Sequence, residues 1–142
     1  LLIEKSFDTG DVVINFAESD TAGPPLAMLH GASLNWQSFG EFIPTLEKSW
    51  HVYACDLRGH AKSGWAATGY RLIDFVPDTV AFFERFIGPP TVLLGYSLGA
   101  LVTLGVAAQL PHLIQGIILL KPGLMMRTSS IKQATEAYSW LV

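Results

Sequence analysis

Short apolar runs alternate along this chain with longer segments of helical spacing. The runs, each bounded by Gly, Pro or Asp, read VVINFAES, PLAMLHG, HVYACDLRG, TVLLGYS and IQGIILLKPG. The first alternates by twos and predicts a half-exposed strand, which EKSFDT would join across a turn at residues 9–11, whereas the others predict buried central strands. The pattern therefore predicts an α/β fold, with a mainly parallel sheet of about six strands and flanking helices.

Three segments between the runs carry apolar residues at spacings of three and four and predict helices. The first covers residues 36–46. The second covers residues 74–87, with Asp74 as its predicted cap. The third starts at Ser97 and ends before Pro111, which cannot continue a helix.

The composition is unusually apolar for a chain of 142 residues. Half of the residues are hydrophobic and 15% are charged, where soluble domains carry about 25%. A membrane span, a sheet buried on both faces, or an apolar face cut from a larger body would each explain this. Residues 91–120 contain no Asp, Glu, Lys or Arg, but Gly95, Ser97, Gly99 and Pro111 interrupt them. These interruptions favour a buried sheet over a membrane span.

Charge and cysteine content narrow the expected partners and location. The net charge is -3 and no block of basic residues occurs, so we expect neither nucleic acid nor a membrane as partner. Cys55 is the single cysteine and cannot form an internal disulfide, and the first ten residues lack a signal-peptide pattern. We therefore expect a cytoplasmic protein. His and Cys residues lack metal-site spacing and no G-x-G-x-x-G opens a helix, so we expect no metal and no cofactor.

One short motif carries the candidate chemistry. Gly95, Tyr96, Ser97, Leu98 and Gly99 form the pattern G-x-S-x-G, which on its own also occurs by chance or in a structural turn. Here a predicted strand precedes it and a predicted helix follows it, as a nucleophile elbow requires. The glycines would let neighbouring backbone approach the serine, and the helix N-terminus would supply free N–H groups. The interpretation is that Ser97 is a catalytic nucleophile.

An oxyanion formed by attack of this serine needs at least two hydrogen-bond donors. The earlier run PLAMLHG ends in His30 and Gly31, so the backbone N–H of Ala32 is the expected partner for that of Leu98. We expect His30 to pack in this loop beside the oxyanion site. Trp36 and Tyr96 are expected near the mouth of the pocket.

Four segments together carry a family resemblance. They are His30-Gly31 with Trp36, DLRGHAKSG at 56–64, GYSLG at 95–99 and IILLKPG at 117–123. In their order and spacing they resemble the N-terminal half of an α/β-hydrolase, in the lactonase, esterase and haloperoxidase-like branch. Ala61 replaces the second glycine of the family pattern D-x-R-G-x-G-x-S, which should tighten that loop slightly. The resemblance implies that the serine attacks a carbonyl, a histidine takes its proton and an acid orients the histidine.

The acid and the base that this resemblance implies are missing from the chain. The family order is serine, acid, histidine, but no Asp follows Ser97 and the one later carboxylate is Glu136. His60 precedes the serine, and His112 at a helix end is assigned a structural role. Asp56 and Arg58 are expected to stabilise the loop after the fourth strand.

The predicted hydrolase core lacks its C-terminal part, so one edge of its sheet would need a partner. We expect residues 1–126 to form the N-terminal part of an α/β-hydrolase core and residues 127–142 to begin a cap. The sixth strand would then be an exposed apolar edge. Either the missing C-terminal half or self-association would cover it.

The expected function is that of a serine hydrolase acting on a small-molecule ester, lactone or similar acyl substrate. The 142 residues alone are expected to be inactive or weakly active. An alternative keeps the fold without the chemistry, as a truncated, non-catalytic binding or scaffold protein. Haloperoxidase-like activity, hydrolysis of carbon–carbon bonds and membrane association also stay open.

Overall fold

Six strands form one sheet in the computed structural model, which describes residues 1–123. Their bounds are β1 Leu2–Asp8, β2 Val13–Ser19, β3 Pro25–Leu29, β4 His51–Cys55, β5 Thr91–Tyr96 and β6 Ile114–Leu120. The spatial order is β1-β2-β4-β3-β5-β6. The pairs from β4 to β6 are parallel, whereas β1 with β2 and β2 with β4 are antiparallel. The predicted α/β fold with a mainly parallel sheet is confirmed.

Helical segments connect the parallel strands. The α-helices are α1 Ile43–Leu46, α2 Leu72–Phe82 and α3 Leu98–Gln109, with a 3-10 turn at Trp36–Phe39 and a π-helical turn at Phe83–Ile87. Residues 127–142, predicted to begin a cap, lie outside the described residues. No helix within residues 1–123 is long and apolar enough to cross a membrane.

The single helix predicted over residues 36–46 is wrong, because the segment forms two short pieces. The Asn35 side chain accepts the Gln37 N–H at 3.0 Å and starts a 3-10 turn. Pro44 lacks an N–H and is tolerated only in the first turn of a helix, so α1 begins afresh at Ile43. The apolar spacing is kept, since Phe39 and Ile43 are both buried.

The second predicted helix begins earlier than expected, whereas its predicted end at residue 87 is confirmed. It begins at Leu72, and Asp74 is its third residue rather than its cap. The Asp74 carboxylate accepts the backbone N–H of Arg71 at 2.9 Å, which satisfies a donor ahead of the first turn. Its last turn widens into the π-helical segment, which ends at Ile87 and is capped by Gly88 with φ 81°.

Apolar side chains pack on both faces of the sheet. On one face, α2 and α3 pack on the sheet, and the shared core includes Phe16, Phe82, Leu93, Val102 and Val106. On the other, α1 and the 3-10 turn cover a smaller group: Leu26, Met28, Phe39, Ile43, Val52, Ala54 and Leu94. The sheet therefore has core on both sides, which explains much of the low charged fraction.

Two strands differ in burial from the prediction. The predicted half-exposed β2 is wrong, because residues 14–17, on both faces of the strand, are all buried. The buried β6 is also wrong: Ile117 and Ile118 are 40% and 43% exposed. Within the described part of the chain β6 pairs with β5 alone, so it forms the sheet edge.

A buried arginine ties the loop after β4 to α2. The Arg58 Nε donates to the Asp78 carboxylate at 2.6 Å, and Nη2 donates to Asp78 and Asp11 at 2.8 Å each. The hydrogen bonds that Arg58 donates to Asp78 raise the pKa of Arg58 above its usual value. In the same loop Ala61 holds φ 44°, a left-handed conformation that suits the glycine of the family pattern.

Candidate active site

Ser97 stands at a sharp corner between a strand and a helix. It follows the last residue of β5 and precedes Leu98, the first residue of α3, so the helix starts one residue later than predicted. Its backbone has φ 51° and ψ −110°, a conformation that costs a non-glycine residue free energy. The Ser97 N–H donates to the Leu120 carbonyl at 2.9 Å, which anchors the corner to β6.

Both glycines of the motif are required by close backbone packing. A methyl group at position 95 would lie 2.3 Å from the Gly99 carbonyl oxygen. A methyl group at position 99 would lie 2.1 Å from the Leu29 carbonyl oxygen and 2.7 Å from that of His30. The first turn of α3 therefore rests directly on the carboxyl end of β3, and only glycine permits this contact.

The N-terminus of α3 leaves one donor free beside the serine. The Gly99 N–H donates to the His30 carbonyl at 3.1 Å, and the Ala100 N–H donates to the Ser97 carbonyl at 3.1 Å. The N–H of Leu98 has no acceptor among residues 1–123, as expected for the first residue of a helix. This amide carries the partial positive charge of the helix N-terminus.

A tight turn after β3 comes against the same corner. The Leu34 N–H donates to the Gly31 carbonyl at 3.2 Å, and Ser33 inside the turn has φ 61°. A methyl group at position 31 would lie 2.8 Å from the Tyr96 ring and 3.3 Å from the Ser97 Cβ. The turn thus touches the serine, and within the described chain its Ala32 N–H has no acceptor.

The predicted site residues therefore fall into one small region. Those that the structure brings together at the carboxyl ends of β3 and β5 are His30, Gly31, Ala32, Gly95, Tyr96, Ser97, Leu98 and Gly99. Trp36 lies a few residues further along the same loop and packs against the core beneath α1. The assignment of catalytic and oxyanion roles to these residues stays a prediction.

A carboxylate behind the turn after β3, that of Asp56, holds the far end of this turn. The buried Asp56 accepts the backbone N–H of Trp36 and the side-chain amide of Asn15, each at 2.8 Å. The Ser63 hydroxyl accepts the Asn15 N–H at 2.9 Å and donates to the Asp56 carbonyl at 2.7 Å. Sequence reasoning missed Asn15 and Ser63. A polar residue inside an otherwise apolar strand was the available signal for Asn15.

The histidines before the serine all have other partners. His30 is fully buried and bonds backbone groups, and burial lowers its pKa below the usual value. His51 bonds Glu18 at 2.8 Å, and His60 donates to the Arg58 carbonyl at 2.9 Å. No hydrogen bond joins a histidine to the Ser97 hydroxyl in residues 1–123.

The pKa of Glu18 is lowered although its burial acts to raise it. Hydrogen bonds from Lys5 and His51 outweigh that burial and stabilise the charged carboxylate. Glu18 lies on β2 and His51 begins β4, whereas Ser97 follows the carboxyl end of β5. The pair of Glu18 and His51 stabilises the strand pairing and supplies no proton acceptor for the serine.

An apolar cavity lies beside the corner. Its volume is about 360 Å³ and its lining is Leu34, Ser38, Phe39, Phe42, Tyr96 and Leu120. Tyr96, which directly precedes the serine, is part of this lining, whereas Trp36 is not. The residues described up to 123 include no group of three or more His, Cys, Asp or Glu that could hold a metal ion.

Comparison with known proteins decides the family. The family model described as the alpha/beta hydrolase fold matches residues 24–142. The chain belongs to the α/β-hydrolase family. The resemblance read from the His-Gly, DLRGHAKSG, GYSLG and IILLKPG segments is thereby confirmed.

Three relatives illustrate the chemistry found in this family. The chain is 30% identical over 112 residues to the (E)-2-((N-methylformamido)methylene)succinate hydrolase of Acinetobacter baylyi, covering 79% of the chain and 42% of the relative. It is 34% identical over 98 residues to the pimeloyl-[acyl-carrier protein] methyl ester esterase of Xanthomonas oryzae pv. oryzae, covering 69% and 36%. A solved N-acyl homoserine lactonase in complex with N-hexanoyl homoserine matches with a TM-score of 0.78 at 26% identity, covering 84% and 44%. The chain thus spans less than half the length of these relatives.

Proposed function

We propose that this α/β-hydrolase cleaves an ester, lactone or similar acyl compound with Ser97 as nucleophile. The observation that carries the proposal is the strained corner at Ser97, flanked by the acceptor-free amides of Leu98 and Ala32. Strain of this kind persists only where the surroundings enforce it, and it is typical of functional sites. Here the Leu29 and Leu120 carbonyls and the motif glycines enforce it.

The reaction would begin with attack of the Ser97 Oγ on the carbonyl carbon of the substrate. A new C–O bond forms, the π electrons move to the carbonyl oxygen, and the serine proton passes to a general base. The tetrahedral intermediate collapses, the alcohol leaves with that proton, and water then releases the acid by the same route. We propose that the base and its orienting acid come from protein beyond the 142 residues, because the three histidines before the serine bond other groups and no described histidine bonds the Ser97 hydroxyl.

The oxyanion of that intermediate would lie between the two free amides. The Leu98 N–H adds the charge of a helix N-terminus, and the Ala32 N–H approaches from the turn after β3. Loss of one such donor costs about 10² to 10³ in kcat, or about 2.7–4 kcal/mol. Two fixed donors would therefore account for a large part of the rate enhancement.

The acyl class of the substrate rests on the relatives and on the cavity. The relatives include a hydrolase of a substituted succinate, a methyl ester esterase and a lactonase, and the last two names denote ester and lactone substrates. The cavity beside Tyr96 presents Leu34, Phe39 and Phe42, which suit the hydrocarbon part of such a substrate. We further propose that, in the protein at its natural length, the rest of the hydrolase fold packs against the exposed edge of β6.

Hydrolysis of p-nitrophenyl acyl esters by the protein at its natural length tests the proposal. Ser97→Ala should abolish turnover, because no oxygen nucleophile remains at the corner. Ser6→Ala is the matched control, since Ser6 is exposed on β1 and should leave turnover unchanged. Turnover that survives Ser97→Ala would exclude this serine as nucleophile. A folded protein without any esterase activity would favour the binding or scaffold alternative.

A further inference from the structure

The His30 ring connects two loops at the candidate site without reaching the serine. The residue is fully buried directly after β3. Its Nδ1 lies 2.7 Å from the Gly31 carbonyl oxygen, and its Nε2 lies 3.0 Å from the backbone nitrogen of Leu57. The ring therefore bridges the turn after β3 and the loop after β4.

These two contacts fix the tautomer of the ring. The Leu57 N–H can only donate, so the Nε2 that faces it must carry a lone pair. In a neutral imidazole the proton then sits on Nδ1, which donates it to the Gly31 carbonyl. Burial lowers the pKa of His30 and so favours this neutral form.

The Gly31 carbonyl belongs to the same peptide group as the Ala32 N–H. A peptide group is planar, and no cis bond occurs in the described chain, so the Gly31 C=O and the Ala32 N–H bonds point in opposite directions within one rigid plane. Holding the carbonyl oxygen therefore holds the direction of the N–H. The Leu34 N–H also donates to this carbonyl, but at the longer distance of 3.2 Å.

We propose that His30 is a positioning residue whose Nδ1–H bond to Gly31 aims the Ala32 N–H at the oxyanion. The inference rests on the proposed function of Ser97 and deepens it. The preceding His30 carbonyl accepts the Gly99 N–H, so residues 30–32 are held to α3 as well as to the loop after β4. The direction of the Ala32 donor is thus fixed relative to the helix that carries the Leu98 donor.

Two isosteric substitutions separate the two bonds of the ring. In His30→Asn the side-chain NH2 can take the place of Nδ1 and donate to Gly31, while the Leu57 N–H loses its acceptor. In His30→Gln the side-chain oxygen can take the place of Nε2 and accept from Leu57, while the Gly31 carbonyl loses its donor. Each variant loses one buried hydrogen bond, so similar losses of stability are expected.

Steady-state ester hydrolysis by the natural-length protein distinguishes the two bonds. His30→Gln should lower kcat about 10- to 100-fold with KM within about twofold, because the oxyanion charge develops only in the transition state. His30→Asn should lose no more than about threefold in kcat if the Gly31 bond carries the effect. Equal losses of kcat in the two variants, or the larger loss in His30→Asn, would overturn the inference.

The controls keep this result separate from the proposed function itself. If Ser97→Ala retains hydrolysis, the proposed function fails whatever the His30 variants do. If Ser97→Ala is inactive and the two His30 variants are equally impaired, the positioning role alone fails. Urea unfolding of both variants checks that their stabilities match.

A measurement on the unmodified protein covers the case in which a variant does not fold. In protein labelled with 15N-histidine, the His30 nitrogen shifts should show a protonated Nδ1 and an unprotonated Nε2 at pH 7. A neutral ring protonated on Nε2 would contradict the bond to Gly31 and overturn the inference without any activity assay.

Discussion

Replacement of Gly99 by alanine tests how tightly the corner is built. Its new methyl group would lie 2.1 Å from the Leu29 carbonyl oxygen and 2.5 Å from the carbonyl carbon. An ordinary contact is about 3.4 Å, so α3 and the end of β3 would have to separate by about 1.3 Å. Both sides of this contact are backbone, so no side-chain rotation can relieve it.

The cost follows from that displacement. Overpacking of a core by one methyl group typically costs 1–3 kcal/mol, and rigid backbone on both sides places Gly99→Ala at about 3 kcal/mol or more. The same movement would lengthen the hydrogen bond from the Gly99 N–H to the His30 carbonyl, now 3.1 Å. It would also move the two proposed oxyanion donors, the N–H groups of Leu98 and Ala32, apart. A misplacement of about 1 Å near the chemistry can cost 10²-fold in rate.

Urea denaturation of matched variants measures the effect. Gly116→Ala is the control, because Gly116 lies in β6 and a methyl group there would meet only the Val92 side chain at 4.0 Å. We expect Gly116→Ala within about 0.5 kcal/mol of the wild type. A Gly99→Ala protein that loses less than about 1 kcal/mol would refute the described contact between α3 and β3.

Three further predictions concern strain, buried charge and pH. Ser97→Gly should be about 1 kcal/mol more stable than Ser97→Ala in urea denaturation, because glycine adopts φ 51° without a Cβ penalty; equal stabilities would argue against strain at the corner. Arg58→Met should lower the free energy of unfolding by about 3–5 kcal/mol, since Asp78 would stay buried and unpaired. The double variant Arg58→Met with Asp78→Leu should recover part of that loss, because it removes the unpaired charge. No recovery would show that lost packing, rather than the buried charge, causes the destabilisation. Burial lowers the pKa of His30 on folding and outweighs the hydrogen bond to Gly31, which acts to raise it. The unfolded chain therefore binds this proton first as the pH falls, so the free energy of unfolding should decrease below about pH 6.5, and a slope unchanged in His30→Asn would contradict this.

The strand pattern and the order of motifs could be predicted from the sequence because they depend on local rules. Apolar runs ended by Gly, Pro or Asp placed five strands, the turn at residues 9–11 placed β1 beside β2, and a strand, a G-x-S-x-G and a helix placed the corner at Ser97. The partner turn at Gly31 followed from the geometry of parallel strands, whose carboxyl ends meet at one edge. These features need no knowledge of distant contacts.

The failures arose where distant contacts or single backbone groups decide the outcome. The alternation of β2 suggested one exposed face, but Ile14 and Phe16 pack in the apolar cluster on one face and Asn15 bonds Ser63 and Asp56 on the other. Apolar spacing over residues 36–46 could not show that Pro44 would restart the helix. The two bonds of His30 depend on loops that lie 27 residues apart, and no local pattern announces them.

Covalent labelling of the natural-length protein with a fluorophosphonate tests the central claim most directly. The account predicts a single adduct, located by peptide mass mapping on Ser97 and absent from Ser97→Ala. A folded protein that takes no adduct, or takes it on another serine while residue 97 stays free, would contradict the assignment of this corner as the nucleophile.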